Sequence, residues 1–322
     1  MSLKSAITVR ELFVEFQSGS TDALEDIHLT QAHLPKIHEF AHNESPCSRA
    51  DPKHLSSDSF ERMDVIGRGA YSIVYSARHL ASGQLVALKE IHKRTICTMN
   101  LNDQLKQEIN LMRTIRHPHV VRLLSYFVDS THVVLVLELC PGTLRRKLSL
   151  FPNGKFDERR ASKYARQLAK ALHYLHQRSI VHRDLKLENI LLDDFSMVKL
   201  ADFGWSSELG RSTRSTVCGT LDYLSPEMIS RCPHSEKTDV WSLGAIIFEM
   251  ICGRAPFYSP SEVDTAYAIL HHVPQIPSFV SPSARELITI MLRKDPNARP
   301  TMLEVLQHPW MQRYQSTQKI AN

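Results

Sequence analysis

The sequence predicts an α+β chain of two lobes, a small strand-rich part followed by a larger helix-rich part with a cleft between them. Three observations carry that expectation. Short β-rich runs crowd into residues 60–139, with one helical stretch among them. Beyond Gly142 the apolar pattern turns helical, and such segregation of strands from helices argues for α+β rather than alternating α/β units. The composition, 43% hydrophobic and 23% charged over 322 residues, is that of a globular chain long enough to bury a core in each lobe.

Taken in order, residues 1–59 are polar and irregular, with five basic and nine acidic side chains. They read as a largely disordered extension with one short helix over Ala23–His33. The spacing His38-x3-His42-x4-Cys47 lacks the paired ligands of a structural zinc site, so the tail is read as polar rather than metal-binding. Strands are expected at Phe60–Gly67, Ile73–Ala77, Leu85–Ile91, Val121–Val128 and His132–Leu139, with a helix at Leu101–Ile115. Helices follow at Leu144–Leu148, Glu158–His176, Val240–Cys252, Ser261–His271, Ala284–Leu292 and Met302–His308. The main domain is thus residues 60–310, with lobes 60–139 and 143–310, and residues 311–322 form a tail.

Composition excludes several classes of function. No apolar run of about 18 residues exists to cross a membrane. Met1-Ser2-Leu3-Lys4 opens no signal peptide, so the chain is expected inside the cell. Six scattered cysteines without a C-x-x-C pair read as free thiols in a reducing compartment. The net charge is +5, and since the first 59 residues carry −4 the remainder carries +9. A basic body suits a polyanionic ligand, but dense Lys/Arg runs for nucleic acid are missing.

The chemistry is carried by four stretches. Ile66-Gly67-Arg68-Gly69-Ala70-Tyr71-Ser72-Ile73-Val74 joins two strands, and its glycines let backbone N–H groups approach phosphate oxygens. Val86-Ala87-Leu88-Lys89 buries a lysine in an apolar strand, where it needs an acid; Glu108 stands nineteen residues on, on the interrupting helix. Asp184 and Asn189 stand five apart in His182-Arg183-Asp184-Leu185-Lys186-Leu187-Glu188-Asn189. Asp202-Phe203-Gly204 follows thirteen residues after Asn189. Two acids and an amide are hard oxygen donors of the kind Mg²⁺ shares with phosphates.

With these stretches in this order, residues 60–310 resemble a eukaryotic Ser/Thr protein kinase. Ser225-Pro226-Glu227, Asp239-Val240-Trp241-Ser242-Leu243-Gly244 and Asp295-Pro296-Asn297-Ala298-Arg299-Pro300 extend the match. The finer resemblance is to the Aurora kinases, through Asp202-Phe203-Gly204-Trp205-Ser206 and Val217-Cys218-Gly219-Thr220-Leu221-Asp222-Tyr223-Leu224. The resemblance implies the protein kinase fold, ATP as substrate and Mg²⁺ as cofactor. Asp184 would be the catalytic base, with Lys186 near the γ-phosphate and Lys89 on the α and β phosphates, oriented by Glu108. ATP would be enclosed by Ile66, Gly67, Gly69, Ser72, Val74 and the hinge residues Leu137, Glu138 and Cys140, with Glu188, Asn189 and Asp202 beneath. Asn189 and Asp202 would bind the metal, and Glu188 would contact a substrate Arg. Leu123, Met112, Phe203 and His182 would form a spine anchored by Asp239, and Glu227 would pair with Arg299. Thr216 would be the activation-loop phosphosite.

The resemblance further implies protein substrates, an activator peptide docking on the strand-rich lobe, and a monomer or transient dimer. It places the chain in cytoplasm or nucleus, at spindle or chromosomes. Ser72 in place of a third glycine, Leu187 in place of proline, Ser225 and a hinge shorter by one residue depart from the Aurora pattern. A non-Aurora Ser/Thr kinase is therefore the alternative within the class. A pseudokinase scaffold is the alternative outside it, although Lys89, Asp184, Asn189 and Asp202 are all present.

Overall fold

The computed structural model describes residues 55–204, 207–208 and 221–314. The helix expected at Ala23–His33 and the His38/His42/Cys47 spacing lie outside them. The chain folds as two compact units, each with its own core.

The first unit comprises residues 55–144 and 188–204. Its sheet is antiparallel in the order β1 (Phe60–Arg68), β2 (Ser72–His79), β3 (Leu85–His92), β5 (His132–Glu138), β4 (Leu123–Val128). The alternation of strand side chains sorts β3 into two faces. Val86 and Leu88 join Phe60, Ala77, Phe127, Val134 and Val136 in a core cluster. Lys89 belongs to the opposite set, in register with Val74 on one side and Leu135 on the other.

Two helices follow β3. α1 (Lys93–Thr98) was not expected, because Ile96 is its single buried residue and no apolar stripe shows; the His92 ring caps it by accepting from the Arg94 N–H at 3.0 Å. α2 (Asn102–Thr114) buries Leu105, Glu108, Ile109 and Met112, the i, i+3, i+4, i+7 stripe of one face. A carboxylate in such a stripe needs a cationic partner.

Residues 188–204 belong to this unit through backbone hydrogen bonds. The strands Ile190–Leu192 and Val198–Leu200 pair as a hairpin, extended by Gly142–Thr143. Leu200 N–H donates to the His119 carbonyl and its own carbonyl accepts from Val121 N–H, both at 2.9 Å.

The second unit comprises residues 145–187, 207–208 and 221–314. After the short α3 (Leu144–Ser149), α4 (Glu158–His176) starts at Asp157, whose carboxylate accepts from Arg160 N–H. The central α6 (Lys237–Cys252) is buried on every side from Thr238 to Ile251, as its nearly continuous apolar run requires. It stops at Gly253, where φ is +79° and an added Cβ would lie 2.6 Å from the Asn153 carbonyl oxygen; a residue without Cβ fits there.

α5 (Pro226–Ile229), α7 (Glu262–His271), α8 (Pro282–Met291) and α9 (Met302–Gln307) complete the unit: α4 and α8 pack on α6, α9 packs on α4, and α5 packs against α7. The helix expected at Met302–His308 stands as α9, capped at His308; α10 (Pro309–Arg313), which was not expected, starts directly after it with proline at its first position. The strand pair Ile180–Val181 with Ser207–Glu208 went unforeseen, being too short for a period to show.

Candidate active site

Most of the predicted site residues fall into two clusters, one in each unit. In the first, Lys89 Nζ donates to Glu108 Oε1 at 2.8 Å and to Asp202 Oδ1 at 3.2 Å. The Lys89 side chain is 16% exposed and Glu108 6%, whereas Asp202 is 40% exposed. Burial by itself would lower the Lys89 pKa. The Asp202 and Glu108 carboxylates outweigh it and hold the pKa above the ordinary lysine value, so the ammonium is charged at neutral pH.

Asp202 adopts φ +65°, the left-handed region that a residue with a Cβ enters at a cost. Asn189 comes close to it along the hairpin: Ile190 pairs with Leu200, and the next residue out, Asn189, accepts from Ala201 N–H at 2.9 Å. The open end of the hairpin thus carries an amide and a carboxylate on neighbouring positions. Among the described residues no three His, Cys, Asp or Glu side chains converge into an all-protein metal cage. A pair of hard oxygen donors fits a metal that completes its shell with phosphate oxygens. Phe203, the residue after Asp202, is buried, as are Leu123 and Met112.

The glycine-rich loop is the β1–β2 turn. Gly67 pairs with Val74, and Gly69 N–H donates to the Ser72 carbonyl at 2.8 Å. Ile66 is exposed at the start of the turn. At the hinge, Leu137 lies between Ala87 and Leu123. The Glu138 carboxylate takes Lys199 Nζ and Arg122 N–H, both at 2.7 Å, and its own N–H donates to the Arg122 carbonyl. Cys140 is buried; burial, then the neighbouring Glu138 charge, push its thiol up to about 12, so it is protonated at neutral pH. Glu188 is exposed on a single 3₁₀ turn, Leu187–Asn189.

In the second unit, Lys186 Nζ donates to Asp184 Oδ2 at 2.8 Å. Asp184 is buried and Lys186 half-buried. The loop bearing them hangs on Asp239, which is completely buried on α6. Asp239 accepts from His182 N–H at 3.0 Å and Arg183 N–H at 2.9 Å, and its Oδ2 lies 2.8 Å from His176 Nε2. Burial would raise the Asp239 pKa, but His176 and His182 more than compensate and hold it below the usual carboxylate range. Arg183 bends the loop with φ +68°, a strained turn fixed by these two backbone hydrogen bonds.

Glu227 and Arg299 form the expected pair, Oε1 to Nη1 and Oε2 to Nη2, both at 2.7 Å. Thr216 lies outside the described residues.

Other polar contacts escaped the sequence reading. Gln104 Nε2 donates to the Gly204 carbonyl. Arg145, Tyr223 and Glu249 close a triangle, with distances of 2.6–2.7 Å. The spacing of Gln104 and Glu108, one helical turn apart, was the signal available for the first. Residues separated by 26 to 104 positions left none for the second.

The model of the protein kinase domain family covers residues 60–311. An Aurora kinase of Dictyostelium discoideum is 40% identical over 80% of this chain and 67% of its own length. Aurora kinase B of Danio rerio is 38% identical over 82% of both chains, and an Aurora kinase of Schizosaccharomyces pombe is 40% identical over 80% and 73%. The chain belongs to the protein kinase family and is an Aurora-like serine/threonine kinase. The family uses ATP and a divalent metal on protein substrates. Among the described residues, no helix is long and apolar enough to cross a membrane.

Proposed function

We propose that phosphoryl transfer in this chain is Mg²⁺-dependent and rests on Lys89, Glu108, Asn189 and Asp202 in one unit and on Asp184 and Lys186 in the other. The observation that carries the reading is the Lys89 ammonium held between two carboxylates. Such an ammonium is fixed in place and permanently charged, so it can bind phosphate oxygens without reorganising. Glu108 orients it from the buried face of α2. The glycine-rich turn covers the nucleotide, and the hinge backbone from Glu138 to Cys140 takes the adenine. The Glu138 N–H is already engaged, so the remaining hinge backbone groups serve.

Asp184 orients the acceptor hydroxyl and takes its proton as the hydroxyl oxygen bonds to the γ-phosphorus and the bond to the ADP oxygen breaks. Lys186 beside it offsets negative charge at the transferred group. Mg²⁺, when bound by Asn189 and Asp202, neutralises charge on the phosphates.

Asp184→Asn should cut turnover by orders of magnitude and leave nucleotide affinity nearly intact. Equal loss of both would remove Asp184 from the role of base.

Exposed Glu188 is the carboxylate proposed to attract a substrate Arg two residues before the acceptor. Indifference of the parent enzyme to Arg at that position in a peptide library would contradict this. Thr216, with Arg214 two residues before it, fits the same preference and is proposed as a site that one molecule phosphorylates on another. The added charge of about −1.5 to −2 would pair with Arg183. Thr216→Ala should lower activity strongly with little change in melting temperature; full activity in that variant would exclude the switch. The Aurora-like relationship also supports an activator peptide on the strand-rich unit and work at the spindle or chromosomes in dividing cells. Imaging of the tagged chain through division tests the latter.

A further inference from the structure

The left-handed conformation of Asp202 persists only if its surroundings fix it from several sides. Lys89 holds Oδ1 at 3.2 Å. The next hold is at Gly204. Its N–H points back at Asp202 Oδ1, 3.5 Å away, and a Cβ on it would lie 3.4 Å from Asp202 Oδ1 and 3.6 Å from Glu108 Oε2. The Gly204 carbonyl accepts from Gln104 Nε2. Gln104 lies one helical turn before Glu108, so both side chains leave α2 on the same face.

α2 therefore grips the Asp202-Phe203-Gly204 segment at two successive turns, once through Glu108 and the Lys89 ammonium, once directly through Gln104. We infer that Gln104 is a positioning residue for the Asp202 carboxylate: by holding the Gly204 carbonyl to α2 it keeps Asp202 aimed for the divalent metal. The inference rests on the reading of Asp202 as a metal-binding residue. It differs from the Glu108 contact in kind. Glu108 acts through the charge on Lys89, whereas Gln104 is neutral and reaches main chain, so it restrains backbone direction rather than electrostatics. A displaced α2 would loosen both holds together.

The test separates the hold from the metal reading. Binding of a non-hydrolysable ATP analogue to the full chain is measured by calorimetry with and without Mg²⁺. Gln104→Met keeps length and removes the donor. It should weaken binding with Mg²⁺ roughly three- to tenfold, the worth of one hydrogen bond. Binding without metal should stay at the parent value, and the melting temperature should fall by no more than about 4 °C. Gln104→His, which restores an N–H at similar reach, should recover most of the loss. An unchanged Mg²⁺ dependence in Gln104→Met overturns the inference. So does an equal loss without metal, or a large fall in melting temperature, either of which would make Gln104 a structural residue. Asp202→Asn is measured beside it: if that variant keeps the parent's Mg²⁺ dependence, the metal reading has failed and the role of Gln104 falls with it.

Discussion

Arg299 shows what a buried charge needs in this protein. The residue is 2% exposed. Its guanidinium has five N–H groups, and each has an acceptor. Nη1 serves Glu227 and the Lys237 carbonyl, Nη2 serves Glu227 and the Lys294 carbonyl, and Nε serves the Arg293 carbonyl, all within 3.0 Å. Burial pushes the Glu227 carboxyl up, but its bonds with Arg299 more than reverse this, so it is ionised at neutral pH. Arg299→Ala would strand that carboxylate, at a cost of about 3–5 kcal/mol. Arg299→Lys tests the geometry rather than the charge, since an ammonium has three donors and no planar fork. It should lose clearly more than 1 kcal/mol in urea unfolding; a variant as stable as the parent would mean that the fork is dispensable.

At the scale of elements, helices and long strands were legible because their periods had room to show. β1 to β5 and α2 stand where alternation and a four-residue stripe put them, and α6 reads as central because its sequence after Asp239 is apolar but for Ser242 and Glu249. What could not be read is how close the elements approach. Gly244 sits inside α6, where glycine lowers helix propensity, and its reason appears only in the packing against α8. A Cβ there would stand 2.9 Å from Met291 Cβ and 3.2 Å from Leu292 Cδ2. Backbone-anchored Met291 Cβ cannot swing aside, so the helices must part or tilt. Gly244→Ala should therefore destabilise the chain, by about 1–3 kcal/mol as overpacking does, against the gain that alanine brings to an exposed helix. A thermal melt decides: an unchanged or raised midpoint would show that α6 and α8 have slack.

For the whole molecule, the contiguous motifs gave away the chemistry, while the ties between distant segments stayed hidden. His182, Arg183 and Asp184 are read together because they are neighbours in the chain. The Gln104–Gly204 bond and the Arg145–Tyr223–Glu249 triangle join segments that share no pattern. Other distant ties end on carboxylates, among them Glu227 with Arg299 and Asp239 with His176 and the His182 and Arg183 N–H groups, and these give stability a pH dependence whose sign can be worked out. Glu227 and Asp239, at reference values of 4.5 and 3.8, titrate lower in the folded chain, and Asp129 drops to about 2. For Asp129 burial opposes the shift, and the backbone N–H groups of His132 and Thr131 produce it. A carboxyl whose pKa falls on folding stabilises the fold above its unfolded pKa and loses that contribution as pH drops towards the folded value. All three shifts act in the same direction. Stability should therefore be flat in this respect above about pH 5 and decline steadily between pH 4.5 and 2. Lys89 acts on the other side: its raised pKa adds stability that is complete below 10.5 and lost only in strong alkali, so it leaves the acid limb untouched. Trp241 and Trp310 are fully buried, which makes intrinsic fluorescence a reporter of unfolding in the second unit. Urea midpoints followed this way at pH 7, 5, 4 and 3 should fall only over the last two steps. In Asp239→Asn, already weaker at pH 7, the fall should be smaller, since one of the carboxylates that must take up a proton is gone. A midpoint as high at pH 3 as at pH 7 would show that Glu227 and Asp239 do not hold the second unit together.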